Sequence, residues 1–191
     1  MNNLALVSQT QPQNPQGTDD SSVFLRFQID AEISAVFPME QVQEVVVISP
    51  RQLTPIFNMP ACLLGLLTRR SRIMWVADLA HLLLGKSYMR DGASAFQRYK
   101  VVVIKVDPQW VNQEQSMNRD HRQVLLGLVV HDVKGSVQLS KQAIQPPQGY
   151  FSPEIAPFVR GSILQDNSML LVLDAEAIVR SSRLQSGLMP S

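Results

Sequence analysis

The residues most able to do chemistry in this chain are the three arginines of "TRRSR", Arg69, Arg70 and Arg72, which lie between the apolar runs 63–67 and 73–76. A guanidinium presents a planar fork of donors that matches a carboxylate or a phosphate. The cluster therefore reads in three ways: a solvated hairpin tip, a phosphate-binding patch, or a contact for a protein partner. Nucleic-acid binding calls for basic residues interleaved with aromatics over a broad face, and only Trp75 lies near. Glu44, in "VQEV", is either a solvated polar position or part of a contact. The remaining candidates point away from catalysis. Cys62 is the one cysteine, and no signature supplies the base and orienting group that a nucleophile needs, so a small buried apolar role fits it better. His81, His121 and His131 are scattered without a second ligand at metal spacing. Asp78 and Asp174 could pass for an acid/base pair, but each stands immediately before a helix-like run, where a carboxylate caps free amides. Gly65, Gly127, Gly135 and Gly161 stand singly and make no phosphate loop.

Composition limits what these residues can serve. A chain of 191 residues, 45% hydrophobic, has one domain's worth of core. Seventeen basic against sixteen acidic side chains leave a net charge of +1, so no overall field attracts nucleic acid or an anionic membrane. A lone cysteine excludes an internal disulfide and favours a reducing compartment. The N-terminus shows only a four-residue apolar run without a basic flank, so neither export nor membrane insertion is expected. A cytoplasmic location follows as the expectation.

The elements that must position the candidates are short and β-branched: "VFLRFQI", "EVVVI", "GLLT", "IMWVA", "KVVVIKV", "QVLLGLVV", "GSVQL" and "MLLVLD". This is the pattern of an antiparallel barrel or sandwich. In "FLRFQI", Phe24, Arg26 and Gln28 share one face and Leu25, Phe27 and Ile29 the other, whereas "KVVVIKV" is apolar enough to be buried on both. Residues 1–22, rich in Gln, Asn, Pro and Ser, read as a disordered lead-in; 23–180 as the folded domain; and 181–191 as a flexible tail. Residues 86–99 join two halves, and 107–123 read as a long hairpin loop. The halves repeat. Gly65 and Gly161 each precede a polar tip, an apolar strand and, thirteen residues on, Asp78 and Asp174; upstream, "VQEV" at 42–45 is matched with "VHDV" at 130–133. "TRRSR" thus fills a turn that the other half fills with "LQDNS", so the turn is required and its arginines are not.

Taken in order, these segments resemble the CheW-like domain family of chemotaxis coupling proteins over nearly all of 23–180. "FLRF" compares with the opening strand "FLVF", "VQEVVVIS" with "V-x-E-V", and "PACLLGLLTRRS" with "P-x-x-x-x-G-V-x-N-L-R-G". "IMWVADL" compares with "V-I-P-V-x-D-L", "GLVVHDV" with "G-x-x-V-D-x-V", and "AIQPP" with "I-x-P-P-P". The resemblance implies a mainly β fold of two similar five-stranded β-barrel subdomains packed around a shared core, with short helices. It also implies a non-enzymatic adaptor, without cofactor, that couples the cytoplasmic tip of a methyl-accepting chemoreceptor to the regulatory domain of a CheA-type histidine kinase, for chemotaxis or pilus-dependent motility. By position Arg70 inherits the family's receptor contact, with Thr68 and Glu44 beside it and Val42, Val45, Arg69 and Arg72 as interface residues. Thr68, Arg69 and Ser71 depart from the family's Asn, Leu and Gly. Loss of the glycine implies a tip that turns without a left-handed residue and so differs in conformation. Trp75 replaces a usual proline and restores a strand amide. The competing reading is a small β-barrel that binds nucleic acid through its "RRSR" tip.

Overall fold

A computed structural model describes residues 20–86, 98–107, 123–147, 151–165 and 167–184. The expectations for 1–19, 87–97, the interior of the 107–123 loop and 185–191 fall outside the described residues. The strands are β1 (Ser21–Gln28), β2 (Ser34–Pro38), β3 (Val42–Ile48), β4 (Leu53–Thr54), β5 (Leu63–Arg69), β6 (Arg72–Asp78), β7 (Tyr99–Val106), β8 (Val124–Val130), β9 (Asp132–Ser140), β10 (Val159–Gln165) and β11 (Ser168–Leu173). Two short helices, α1 (Leu79–Leu84) and α2 (Ala175–Val179), follow β6 and β11.

The strands form two sheets, ordered β10-β11-β2-β1-β9 and β3-β7-β8-β6-β5-β4. Strand for strand the two orders are the same: β3 corresponds to β9, β7 to β1, β8 to β2, β6 to β11 and β5 to β10. The counterpart of β4 is the single bridge between Gln145 and Ser162. Each sheet also contains one parallel pairing at the equivalent place, β6 with β8 and β11 with β2. Two strands from the N-terminal end thus complete the sheet built by the C-terminal half.

The expected pair of five-stranded barrels is corrected here. One sheet has five strands and the other six, and among the described residues neither closes by backbone pairing. The six-stranded sheet nevertheless curls, because Glu44 on its edge strand β3 reaches Arg69 on β5, next to its opposite edge. The curl encloses Val46, Ile48, Met74, Val101 and Val103; the five-stranded sheet encloses Phe24, Val36, Ile163, Leu170 and Val172 in the same way. Between the sheets lies the largest cluster, with Leu25, Phe27, Phe37, Val102, Ile104 and Leu128, in which the rings of Phe27 and Phe37 stack 5.2 Å apart. Both alternations read from sequence hold. Leu25, Phe27 and Ile29 enter the central core while Phe24 turns into its own sheet, and Val101 and Val103 oppose Val102 and Ile104 across β7.

The two repeat glycines occupy equivalent bulges, between Leu63 and Gly65 and between Val159 and Gly161. A Cβ on Gly65 would stand 2.4 Å from the Thr54 carbonyl oxygen, and one on Gly161 would stand 2.5 Å from that of Gln145. Close backbone crossing demands glycine at both sites, and at Gly65 the positive φ of 139° demands it as well. Asp78 and Asp174 cap α1 and α2: Asp78 accepts from the His81 amide at 3.1 Å, and Asp174 from the Glu176 and Ala177 amides at 2.9 and 3.1 Å.

Two boundaries differ from the sequence reading. "VQEV" and "VHDV" are not in structural register: Val130 ends β8, and the bulges place Val42 opposite Ile104 as Val133 lies opposite Phe27, a displacement of three residues. Ser181 and Leu184 are buried, so packed chain continues beyond 180, where the tail was expected to begin.

Candidate functional site

The β5–β6 hairpin positions the arginines. Its last cross-strand pair is Arg69 with Arg72, leaving Arg70 and Ser71 as a two-residue turn with φ of 47° and 62°. Two successive left-handed residues give the mirror-image turn whose twist matches a β-hairpin. The expectation that the tip lacks a left-handed residue is therefore corrected. Arg70 and Ser71 adopt that region without glycine, at a steric cost of about 1–2 kcal/mol each.

Alternation separates the side chains. Leu67 and Met74 point into the curled sheet, whereas Thr68 and Ile73, paired across the hairpin, point outward and are exposed. Arg69 and Arg72 return to the inner side at the mouth of the curl. There the Arg69 Nε donates to Glu44 Oε1 at 2.9 Å, and an Arg70 terminal nitrogen lies 3.9 Å from Glu44 Oε2. The hydrogen bond from Arg69 holds the Glu44 carboxyl below the usual carboxylate range against the opposing effect of burial, with the charges of Arg69 and Arg70 adding to it. The same bond raises Arg69. Glu44, with its side chain 20% exposed, is thus the counter-ion of the tip; Arg70, 77% exposed, lies near the same carboxylate and is open outward.

The structure brings Glu44, Arg69 and Arg70 together in one cluster, a pairing the sequence did not disclose. Arg69, not the family-matched Arg70, makes the close bond. Val42 is corrected as an interface residue: the bulge after it turns it into the central core, where it is 8% exposed. Val45 is exposed on the outer side of β3, and Val47 beside it is more so. Ile73 was overlooked. It is 68% exposed, and its place opposite Thr68 in the alternation of β6 was the available signal.

The other candidates have structural employment. Burial pushes the Cys62 thiol up, away from thiolate character, and the thiol donates to the Arg183 carbonyl at 3.7 Å. Cys62 shares with His81, Glu154 and Arg183 an open cleft of about 450 Å³ without a Cys–His hydrogen bond among the described residues. His131 donates its amide to the Gln28 carbonyl at the bend where the chain passes from β8 in one sheet to β9 in the other, and His121 lies outside the described residues. Asp132 is held low by Lys100 and Lys134, both bonded to it. Among the described residues no group of three His, Cys, Asp or Glu could hold a metal ion, and no helix is long and apolar enough to cross a membrane.

Comparison with known proteins agrees with this architecture. The chain is similar to the scaffolding protein TtCheW from Thermoanaerobacter tengcongensis, with a TM-score of 0.64 and 20% identity over 85% of this chain and 94% of that one. No curated protein sequence matches it. The family model for the CheW-like domain matches residues 23–183, which span both sheets, both helices and the Glu44–Arg69 tip. The chain belongs to the CheW-like domain family.

Proposed function

We propose that this chain is a non-enzymatic adaptor of bacterial two-component taxis signalling, located in the cytoplasm, which couples the cytoplasmic tip of a methyl-accepting chemoreceptor to the regulatory domain of a CheA-type histidine kinase. The observation that carries the reading is the Glu44–Arg69–Arg70 arrangement. An exposed guanidinium is held on a two-residue turn, near the carboxylate of Glu44 and flanked by the outward pair Thr68 and Ile73. Such a guanidinium offers a directional fork to a carboxylate or carbonyl, as expected of an interface hot spot. Membership of the CheW-like family supplies the partner class. The adaptor works by geometry: two partners held on one rigid frame sense each other's displacement across it, with no bond made or broken.

The test is binding of a purified receptor-tip fragment to single variants. Arg70→Ala is expected to weaken the complex about tenfold to a hundredfold, and Arg72→Ala by less than about fivefold. Equal losses from both variants, together with a steep fall of affinity with salt on RNA or DNA, would instead mark a phosphate-binding patch.

A further inference from the structure

The matched sheets have a second pair of equivalent ends, opposite the hairpin tips, and these are filled differently. In the six-stranded sheet the end is stopped from within: Tyr99, the first residue of β7, is 6% exposed and joins the cluster inside the curl, with Leu53 and Leu64 packed against that cluster. In the five-stranded sheet the pairing registers put Ser22 at the place of Tyr99, each opposite a buried residue of the edge strand, Leu139 and Ile48. The equivalent bulges put Arg160 at the place of Leu64, and the bridge at Gln145 puts Ile144 at that of Leu53. A phenol ring and a leucine are thus exchanged for a hydroxyl and a guanidinium, whose Nε donates to Asp174 Oδ2 at 3.1 Å. Beside Ser22 a cleft of about 540 Å³ opens, with Phe24, Ile144 and Val172 among its walls.

Two exposed charges of opposite sign line this cleft, and among the described residues neither has an ion-pair partner. Lys141, just after β9, pairs with no carboxylate there, Asp20 included, although the Asp20 carbonyl accepts the Lys141 amide at 3.2 Å. Glu40 lies in the turn Met39–Gln41 after β2. The two leave from strands on either side of β1, whose Ser22 marks the gap, and they do not pair with each other. With Arg160 balanced by Asp174, the lining is neutral in sum and dipolar in arrangement: an apolar floor between one cation and one anion.

We infer that this cleft binds a free aromatic α-amino acid as its zwitterion. The ring rests on Phe24, Ile144 and Val172, in the space that Tyr99 occupies in the other half; the carboxylate meets Lys141 and the ammonium meets Glu40. The volume is that of a small-molecule site. Charge complementarity decides the occupant, because a simple acid or a simple amine satisfies only one of the two unpaired charges and brings its own charge toward the other. Both charges are solvent-exposed, so each contributes modestly and the affinity is in the millimolar range. The inference goes beyond the adaptor reading and does not rest on it.

The test is titration of the full chain with L-phenylalanine, followed by amide chemical shifts. Saturable shifts are expected at Ser22, Val23, Phe24 and Ile144, with phenylacetate and phenethylamine each weaker by about threefold or more. Ser22→Tyr installs the stopper of the other half; it is expected to abolish binding while its thermal midpoint equals or exceeds that of the wild type. Lys141→Gln, on the rim, is expected to weaken binding about threefold or more with the midpoint unchanged. Asp19 lies outside the described residues, and Asp19→Asn is expected to leave the affinity as it is. Absence of saturable shifts in the full chain would overturn the inference, as would equal affinity for all three compounds or undiminished binding by Lys141→Gln or a folded Ser22→Tyr. A tenfold gain in affinity from Asp19→Asn would also overturn it, by assigning Lys141 to the chain's own carboxylate.

Discussion

At the tip, one carboxylate does the work that a glycine-containing turn would otherwise share. Arg70 and Ser71 hold left-handed φ values that side chains disfavour, and the bond between Glu44 and Arg69 ties the strand before that turn to the far edge of the sheet. The pair has a pH signature. The folded pKa of Glu44 is lowered from its ordinary value near 4.5, so the pair's contribution to stability is complete above that value and is lost as pH falls through the folded one. Asp132 and Glu154 are lowered too, so the wild type's acid sensitivity is a sum. The difference between wild type and Glu44→Gln isolates the single group. Urea midpoints are expected to be lower for Glu44→Gln near neutral pH and to converge as pH drops below about 4.5. A gap that persists unchanged into acid would show that the Glu44 side chain acts through packing alone. The sequence made Glu44 and the arginines visible as charges but could not reveal their pairing, because their 25-residue separation closes only when the whole sheet curls.

Among the elements, the hairpin and its crossing strand behave as a unit that occurs twice. Gly65 and Gly161 are the points where a neighbouring backbone passes under β5 and β10, at distances that no side chain admits. Gly65→Ala and Gly161→Ala are each expected to destabilise by about 3 kcal/mol, since the obstructing atoms are backbone carbonyl groups that cannot rotate aside. Equilibrium urea unfolding measures it, and a loss below about 1 kcal/mol at both sites would contradict the crossing as the reason for glycine. The glycine-to-aspartate spacing was legible because each Asp caps the helix that its hairpin leads into. The register between β3 and β9 was not. Their bulges, after Val42 and after Val133, insert one residue each, marked by a glycine of positive φ, Gly135, only in β9, so matching "VQEV" with "VHDV" aligned similar letters in place of equivalent positions. The same bulge turned Val42 from a surface candidate into a core residue.

For the whole molecule, the defining feature is a frame of two equivalent sheets around one core, each presenting a hairpin end with its own chemistry. Strand alternation and the repeat disclosed the mainly β class and the twofold plan. They did not disclose that β1 and β2 complete the C-terminal sheet, because parallel pairing between distant strands leaves no local mark in the sequence. Such a frame suits an adaptor: its two ends are fixed relative to each other by a continuous apolar core, so partners bound at both are held at a set distance. The measurement that bears most directly on this claim is sedimentation velocity on equimolar mixtures of the chain with a receptor-tip fragment and the kinase regulatory domain, taken singly and together. The account predicts a ternary species heavier than either binary complex, lost in favour of the kinase complex when Arg70→Ala replaces the wild-type chain. Two binary complexes that exclude each other, with no ternary species at any ratio, would contradict it.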